Sequence, residues 1–282
     1  MNTVLGPIDA ERMGGTMSHV HLTINILCWH FPPESPELRK LAASKLSLEN
    51  IGQARRNALF FKDNLVQDDA ALAIREVAEY KKAGGGTLVC VDLPGIGRNP
   101  GALQEISRAT GVHIVASTGW YVGATHPPAL AELSVGEIAD GMVEEIEEGI
   151  GVTGVKAGNI GEIGLSGTPD VSFQPGEEKV LRASARAQKE TGASLTIHPN
   201  AHLLIYPESA VDHWDTYIDV LEKEGADLGK CYMSHLGLYP DVEIPKRILN
   251  RGVGFVSYDH FGHEEYYEGI GPGRAFPRDK EE

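Results

Sequence analysis

Cysteine is scarce: Cys28, Cys90 and Cys231 are the three in 282 residues, odd in number, far apart and never in a CxxC spacing. That argues against a disulfide framework and a thiolate zinc site, and it fits a reducing compartment. Basic residues are also in short supply, with 25 Lys and Arg against 40 Asp and Glu, a formal charge of -15. Such a field repels phosphate backbones and anionic membranes, so nucleic acid is not an expected partner. No run approaches the roughly 20 apolar residues that span a bilayer. The N-terminus lacks a basic segment followed by an apolar core, so a soluble, cytoplasmic protein with no membrane partner is expected.

What is present is a composition that is 41% hydrophobic, enough to bury one large core. Among single domains of this length, α/β barrels are the usual case, so residues 1–282 read as one domain. Short apolar runs rich in β-formers alternate with amphipathic helical stretches, the pattern of repeated βα units and a parallel sheet. Strands are expected over 16–22, 87–92, 112–117, 154–163, 194–198, 230–235 and 253–258. Helices are expected over 68–82, 103–110, 135–148, 177–191 and 242–250. In the third of these Ile138, Met142, Val143 and Ile146 share one face, which makes that face core. A long polar, helix-prone excursion fills the interval from Cys28 to about Asn64. The triple glycine Gly84 to Gly86 reads as a helix stop.

Seven strands is one short of closure. Strand number, tilt and shear must agree for a sheet to close, and the TIM-type (β/α)8 barrel needs eight. After Tyr258 the sequence offers no further helix or strand. The expectation is a TIM-type barrel truncated before its eighth strand, the alternative being an open or natively seven-stranded sheet.

Histidines and a carboxylate sit at predicted strand ends, where barrels of this kind place their chemistry. In Ser18-His19-Val20-His21 the period-two alternation turns both imidazoles to one side of the strand. A lone HxH is weak, since roughly 0.4 such pairs arise by chance among 11 histidines. Yet His198 closes one β-run and His235 another, putting four imidazoles on a common rim, a zinc-like ligand set. Two divalent cations side by side repel and need an anionic bridge. Glu162, set among the glycines and isoleucines of residues 158–164, is the candidate. A carbamylated Lys156 is its competitor.

Asp259 and His260, in the run Asp259-His260-Phe261-Gly262-His263, read as substrate-facing or proton-relaying. Trp120 and Tyr121 offer an aromatic wall and a phenol donor, or an ordinary packing pair. Arg98 reads as a contact to a substrate anion or as a structural ion pair. Cys28-Trp29-His30 stay as lining without an assigned role.

These motifs resemble the phosphotriesterase family of the amidohydrolase superfamily. The resemblance runs in order along essentially the whole chain. It begins with Thr3-Val4-Leu5-Gly6-Pro7-Ile8 and Met17-Ser18-His19-Val20-His21-Leu22, and continues through Ser117-Thr118-Gly119-Trp120-Tyr121 and Lys156-Ala157-Gly158 to Glu162-Ile163-Gly164. It ends with His198, His235 and Asp259-His260. It implies two divalent metal ions, with zinc as the expected metal. His19 and His21 would hold the more buried ion, His198 and His235 the more exposed one, and Glu162 would bridge them. Tyr121 resembles the substrate-facing tyrosine of lactone-cleaving members, and His260 a pocket histidine of phosphotriester-cleaving ones. Two departures stand out. The family's strand-eight aspartate is not reached, and Leu236-Gly237-Leu238-Tyr239 replaces the acidic residue that usually follows the strand-six histidine.

The expected activity is therefore hydrolysis of a lactone or carboxylic ester by a hydroxide shared between two metals, with Glu162 and His260 as the catalytic pair. Phosphotriester or amide hydrolysis is the alternative, and a catalytically impaired metal- and ligand-binding barrel is the alternative from another class. A small-molecule substrate is the expected partner, and the acidic surface and long excursion are compatible with a homodimer.

Overall fold

The computed structural model describes residues 1–168, 170–199, 207–238 and 242–261. A small antiparallel hairpin, β1 (Asn2–Thr3) and β2 (Gly6–Pro7), opens the chain. It is tied to the sheet where the Val4 amide donates to the Ile114 carbonyl at 2.8 Å. There follow β3 (Gly15–Val20), α1 (Pro36–Ala42), α2 (Ile51–Arg56), α3 (Ala70–Lys82), β4 (Gly85–Cys90), α4 (Pro100–Thr110) and β5 (His113–Thr118). The second half comprises α5 (Pro128–Glu132), α6 (Val135–Glu147), β6 (Asn159–Gly164), α7 (Glu177–Thr191), β7 (Ser194–His198), α8 (Pro207–Glu224), β8 (Cys231–Met233), α9 (Glu243–Asn250) and β9 (Phe255–Val256).

Strands β3 to β9 form one seven-stranded sheet in sequence order, every neighbouring pair parallel. This is the TIM-type barrel architecture expected from the alternation of strand and helix patterns. Among the described residues β3 and β9 are its two edges. Helix ends follow local chemistry. Asn99 accepts from the Ala102 amide and Pro100 opens α4, while Ser134 and Glu137 close a reciprocal capping box on α6. Ile138, Met142 and Ile146 of α6 and Val180, Leu181, Ala183 and Ala187 of α7 are buried against Ile160, Ile163, Leu195 and Ile197 of the sheet. The alanines let α7 lie close to α6 and the strands beneath.

Differences from the expected boundaries have local causes. The fourth expected strand begins at Asn159 rather than residue 154, because Gly151–Thr153 form a 3-10 turn and Gly154 takes a left-handed conformation, φ 68°. The sixth and seventh shrink to three and two residues. The triple glycine divides its work. Gly84, at φ 97°, stops α3, whereas Gly85 and Gly86 already belong to β4. The hairpin and α8 were not among the expected elements, and the polar excursion contains α1 and α2.

Candidate metal centre

The sheet delivers one carboxylate to its own middle. All six residues of β6 are buried, and Glu162 is 2% exposed. Its predecessor Gly161 has φ 97° and no room for a side chain, because a Cβ there would run into the Thr196 carbonyl of β7. An ionised carboxylate in such a place is costly unless strongly partnered. Its partners are imidazoles. His21 Nε2 lies 3.3 Å from Oε1, while His198 Nδ1, His19 Nε2 and His235 Nε2 lie 2.9, 3.4 and 3.8 Å from Oε2. His19 and His21 thus do share one face of the first strand, and the two strand-end histidines meet them across the barrel.

A second layer holds each ring. Asp92, 1% exposed, accepts from His21 Nδ1 at 2.8 Å. Ser234 Oγ lies 3.1 Å from His19 Nδ1. The Tyr121 hydroxyl lies 3.1 Å from His198 Nε2 and accepts from the Trp29 indole at 3.2 Å. Asp259 takes the Nδ1 of His235 at 2.8 Å and its backbone amide at 3.3 Å. The backbone of His235 sits at φ 65°, a left-handed conformation uncommon for a residue with a Cβ, and the Asp259 contacts fix it there. His260 leans over His235 with ring centroids 4.7 Å apart, its Nδ1 3.5 Å from Asp259.

Burial and charge set the protonation of this group. Burial pushes His19 down to about 3, Glu162 pulling against it and the neighbouring imidazoles adding to the fall. For His21 burial also pulls down, but the hydrogen bonds to Asp92 and Glu162 outweigh it and raise the value to about 10. His235 rises to about 9 on the same balance, with Asp259 as the chief counterweight. Burial would push Glu162 up, yet the surrounding imidazoles hold it well below the usual carboxylate range. Asp92 and Asp259 are likewise lowered against burial, chiefly by His21 and His235 respectively.

The donor chemistry fits a divalent ion. Three sets of ligand atoms each lie within 4.8 Å of one another: His19, His21 and Glu162; Glu162, His198 and His235; and His19, His235 and Asp259. Glu162 belongs to the first two: Oε1 faces His21, while Oε2 faces His19, His198 and His235. Imidazole nitrogens with carboxylate oxygens suit zinc and similar metals.

Several expected residues lie elsewhere or act differently. Trp120 packs against the core and lines a cavity of about 130 Å³ with Leu130, Leu133, Ile138 and Met142, a space without any of the four histidines. Of its two readings, an aromatic wall or a packing pair, Trp120 is thus placed among core side chains. Asp259 faces His235 rather than open space, because both its oxygens are engaged there. Lys156 is exposed and its ammonium donates to the Glu147 carbonyl, so it does not compete with Glu162. Arg98 forms a two-pronged ion pair with Glu145 at 2.5 and 2.8 Å, the structural option. Tyr121 and His260 do reach the histidine cluster, whereas Gly262 and His263 lie outside the described residues. Asp92 and Ser234 had no place in the sequence reading. For Asp92 the available signal was a carboxylate closing an apolar strand.

The model of the Phosphotriesterase family matches residues 1–274. N-acetyltaurine hydrolase of Homo sapiens is 34% identical over 282 residues, covering 99% of this chain and 76% of that protein. Phosphotriesterase-related protein of Nematostella vectensis is 36% identical over 236 residues, 83% of this chain and 64% of that one. The crystal structure of a resiniferatoxin-binding protein from Rhodobacter sphaeroides superimposes with a TM-score of 0.90 at 35% identity, covering 99% of this chain and 74% of that one.

Proposed function

The chain belongs to the phosphotriesterase family, and from that premise we propose that it is a binuclear metal hydrolase acting on a carboxylic acyl bond in a small molecule. Lactones, carboxylic esters and amides share the carbonyl such a site attacks. The N-acetyltaurine hydrolases, 33–34% identical where compared, favour the amide among them. One observation carries the reading: four imidazoles converge on the one buried carboxylate of Glu162, His21 at Oε1 and His198, His19 and His235 at Oε2, so that both oxygens are available to be shared between two ions. His19, His21, His198 and His235 would hold those ions with Glu162. When bound, divalent ions there supply a nucleophile at neutral pH and polarise the carbonyl oxygen.

The chain's own groups do the rest. Asp92 and Asp259 keep His21 and His235 turned toward Glu162. The Tyr121 phenol stands beside His198 and can meet a substrate oxygen. His260, 9% exposed and 3.5 Å from Asp259, gives a proton a path from the cluster toward the rim. The test is a panel of γ-lactones, aryl esters, N-acetyltaurine and an aryl phosphotriester, assayed with zinc-loaded protein and with a chelator control. Chelator-sensitive cleavage of at least one acyl substrate is expected, faster than that of the phosphotriester.

A second reading, a barrel that binds metal and ligand without turnover, is favoured by the similarity to a resiniferatoxin-binding protein. Zinc uptake with no cleavage of any acyl substrate would establish it in place of the first.

A further inference from the structure

We infer that Asp92 is a positioning residue that locks His21 in the tautomer whose Nε2 is open to a cation, an inference that rests on the metal-centre reading. An ionised carboxylate only accepts hydrogen bonds, so the 2.8 Å contact between Oδ1 and His21 Nδ1 places the imidazole proton on Nδ1. Once the ring gives up its second proton, the lone pair left on Nε2 points into the cluster, where Glu162 Oε1 is 3.3 Å away. His19 has no such instruction, since Ser234 Oγ beside its Nδ1 can either donate or accept. Both rings turn Nε2 toward Glu162, but only His21 has an acceptor-only group hydrogen-bonded at Nδ1.

The other carboxylate oxygen explains why Asp92 does not turn away. Oδ2 accepts from the Leu22 amide at 3.0 Å, the Thr23 amide at 2.8 Å, the Thr23 hydroxyl at 3.3 Å and the Cys90 thiol at 3.1 Å. Two of these donors are backbone N–H groups of the segment that carries His21, so Asp92 fastens both the ring and the chain beneath it. Metal-bound histidines commonly carry such a carboxylate on the second nitrogen, and its loss typically weakens metal binding 10- to 100-fold.

The four donors around Oδ2 also make the nearly isosteric change informative. In Asp92→Asn the amide oxygen must face those donors, which leaves the NH2 group facing His21 Nδ1. Nδ1 becomes the acceptor, the ring proton moves to Nε2, and the atom aimed at Glu162 can no longer take a cation.

The experiment compares the wild type with Asp92→Asn by zinc competition against a chelator. Long-range proton–nitrogen spectra of the metal-free imidazoles are recorded in parallel. Zinc affinity should fall by roughly 10- to 100-fold in Asp92→Asn, and the His21 Nδ1 proton present in the wild type should be missing. Equal zinc affinity, or a protonated Nδ1 in Asp92→Asn, overturns the inference. If Asp92→Asn does not fold, an unprotonated His21 Nδ1 in the wild type overturns it, and a protonated one supports it. A wild type that takes up no zinc overturns the functional reading instead, and the Nδ1 proton then decides the orienting role on its own.

Discussion

Metal uptake by this centre should expel protons, and the number follows from the pKa values of its histidines. His21 at about 10 and His235 at about 9 both carry a second proton at pH 7, whereas His19, at about 3, does not. In both rings Nδ1 is committed to an aspartate, so the proton a metal must displace sits on Nε2. Loading should therefore release about two protons per chain at pH 7. The competition costs affinity in proportion. Between pH 7 and about 10 the His21 side of the centre should gain roughly 10³-fold in apparent affinity, about 4 kcal/mol. The His235 side should gain roughly 10²-fold by pH 9. The stability of the metal-free protein obeys the same sign. Both folded values exceed the unfolded 6.5, so the contribution is complete below about pH 6.5 and is lost as pH rises through about 9 and 10. With metals in place this alkaline loss should vanish, because the protons have already left. Zinc titration calorimetry in two buffers of different ionisation enthalpy counts the protons directly. Release of less than one proton per chain, or an affinity flat between pH 7 and 9, would refute the reasoning.

Other perturbations separate the centre from its surroundings. Glu162→Gln keeps the shape but removes the charge shared by the imidazoles. It should lose at least one equivalent of zinc and reduce turnover by more than the roughly 100-fold typical of outer-layer changes; full metal content by elemental analysis would contradict this. Glu177, fully buried, accepts from the amides of Gly123, Ser166 and Gln174 and from the Ser166 hydroxyl, pinning three rim segments. Glu177→Ala should cost about 3 kcal/mol or more in urea unfolding, since three N–H groups lose a charged acceptor, and a cost under about 1 kcal/mol would show that water replaces it. Lys156→Ala should leave zinc content and turnover within about twofold of wild type, as expected of an exposed surface residue, and loss of either would reinstate a bridging lysine.

The fold was legible where periodicity and punctuation agree. The helix over 177–191 matches α7 at both ends, because its apolar stripe is long and Gly192 terminates it at φ 69°. Helix α8 was not legible. Residues 207–224 are helical, but acidic residues interrupt them at short intervals, so no single apolar stripe stands out from sequence. Its anchors, Trp214, Tyr217, Ile218 and Leu221, announce themselves only once the sheet is there to bury them. Strands β8 and β9 are short for a related reason: a strand in this sheet is as long as its paired register with a neighbour, and the apolar run beyond it turns into loop.

The ring of nitrogens was legible because a strand-end histidine advertises itself through position alone. What orients each ring was not, because it depends on which residues of other strands, far away in sequence, come to stand beside it. Asp92 is 71 positions from His21 and Ser234 is 215 from His19. Asp259 reads from its place after the last strand as substrate-facing or proton-relaying, and its partner is legible only in the fold, where His235, at φ 65°, meets it through Nδ1. Which of its two readings Trp120 takes was not legible for the complementary reason. It neighbours Tyr121, yet consecutive side chains at a strand end diverge, and one of the pair goes to the cluster while the other goes to the helices. Position along the chain thus identifies groups that can bind a cation. For His21 the tautomer that lets it do so is set from the next strand over, and Asp92, held among backbone amides, shows that this second layer is built into the fold.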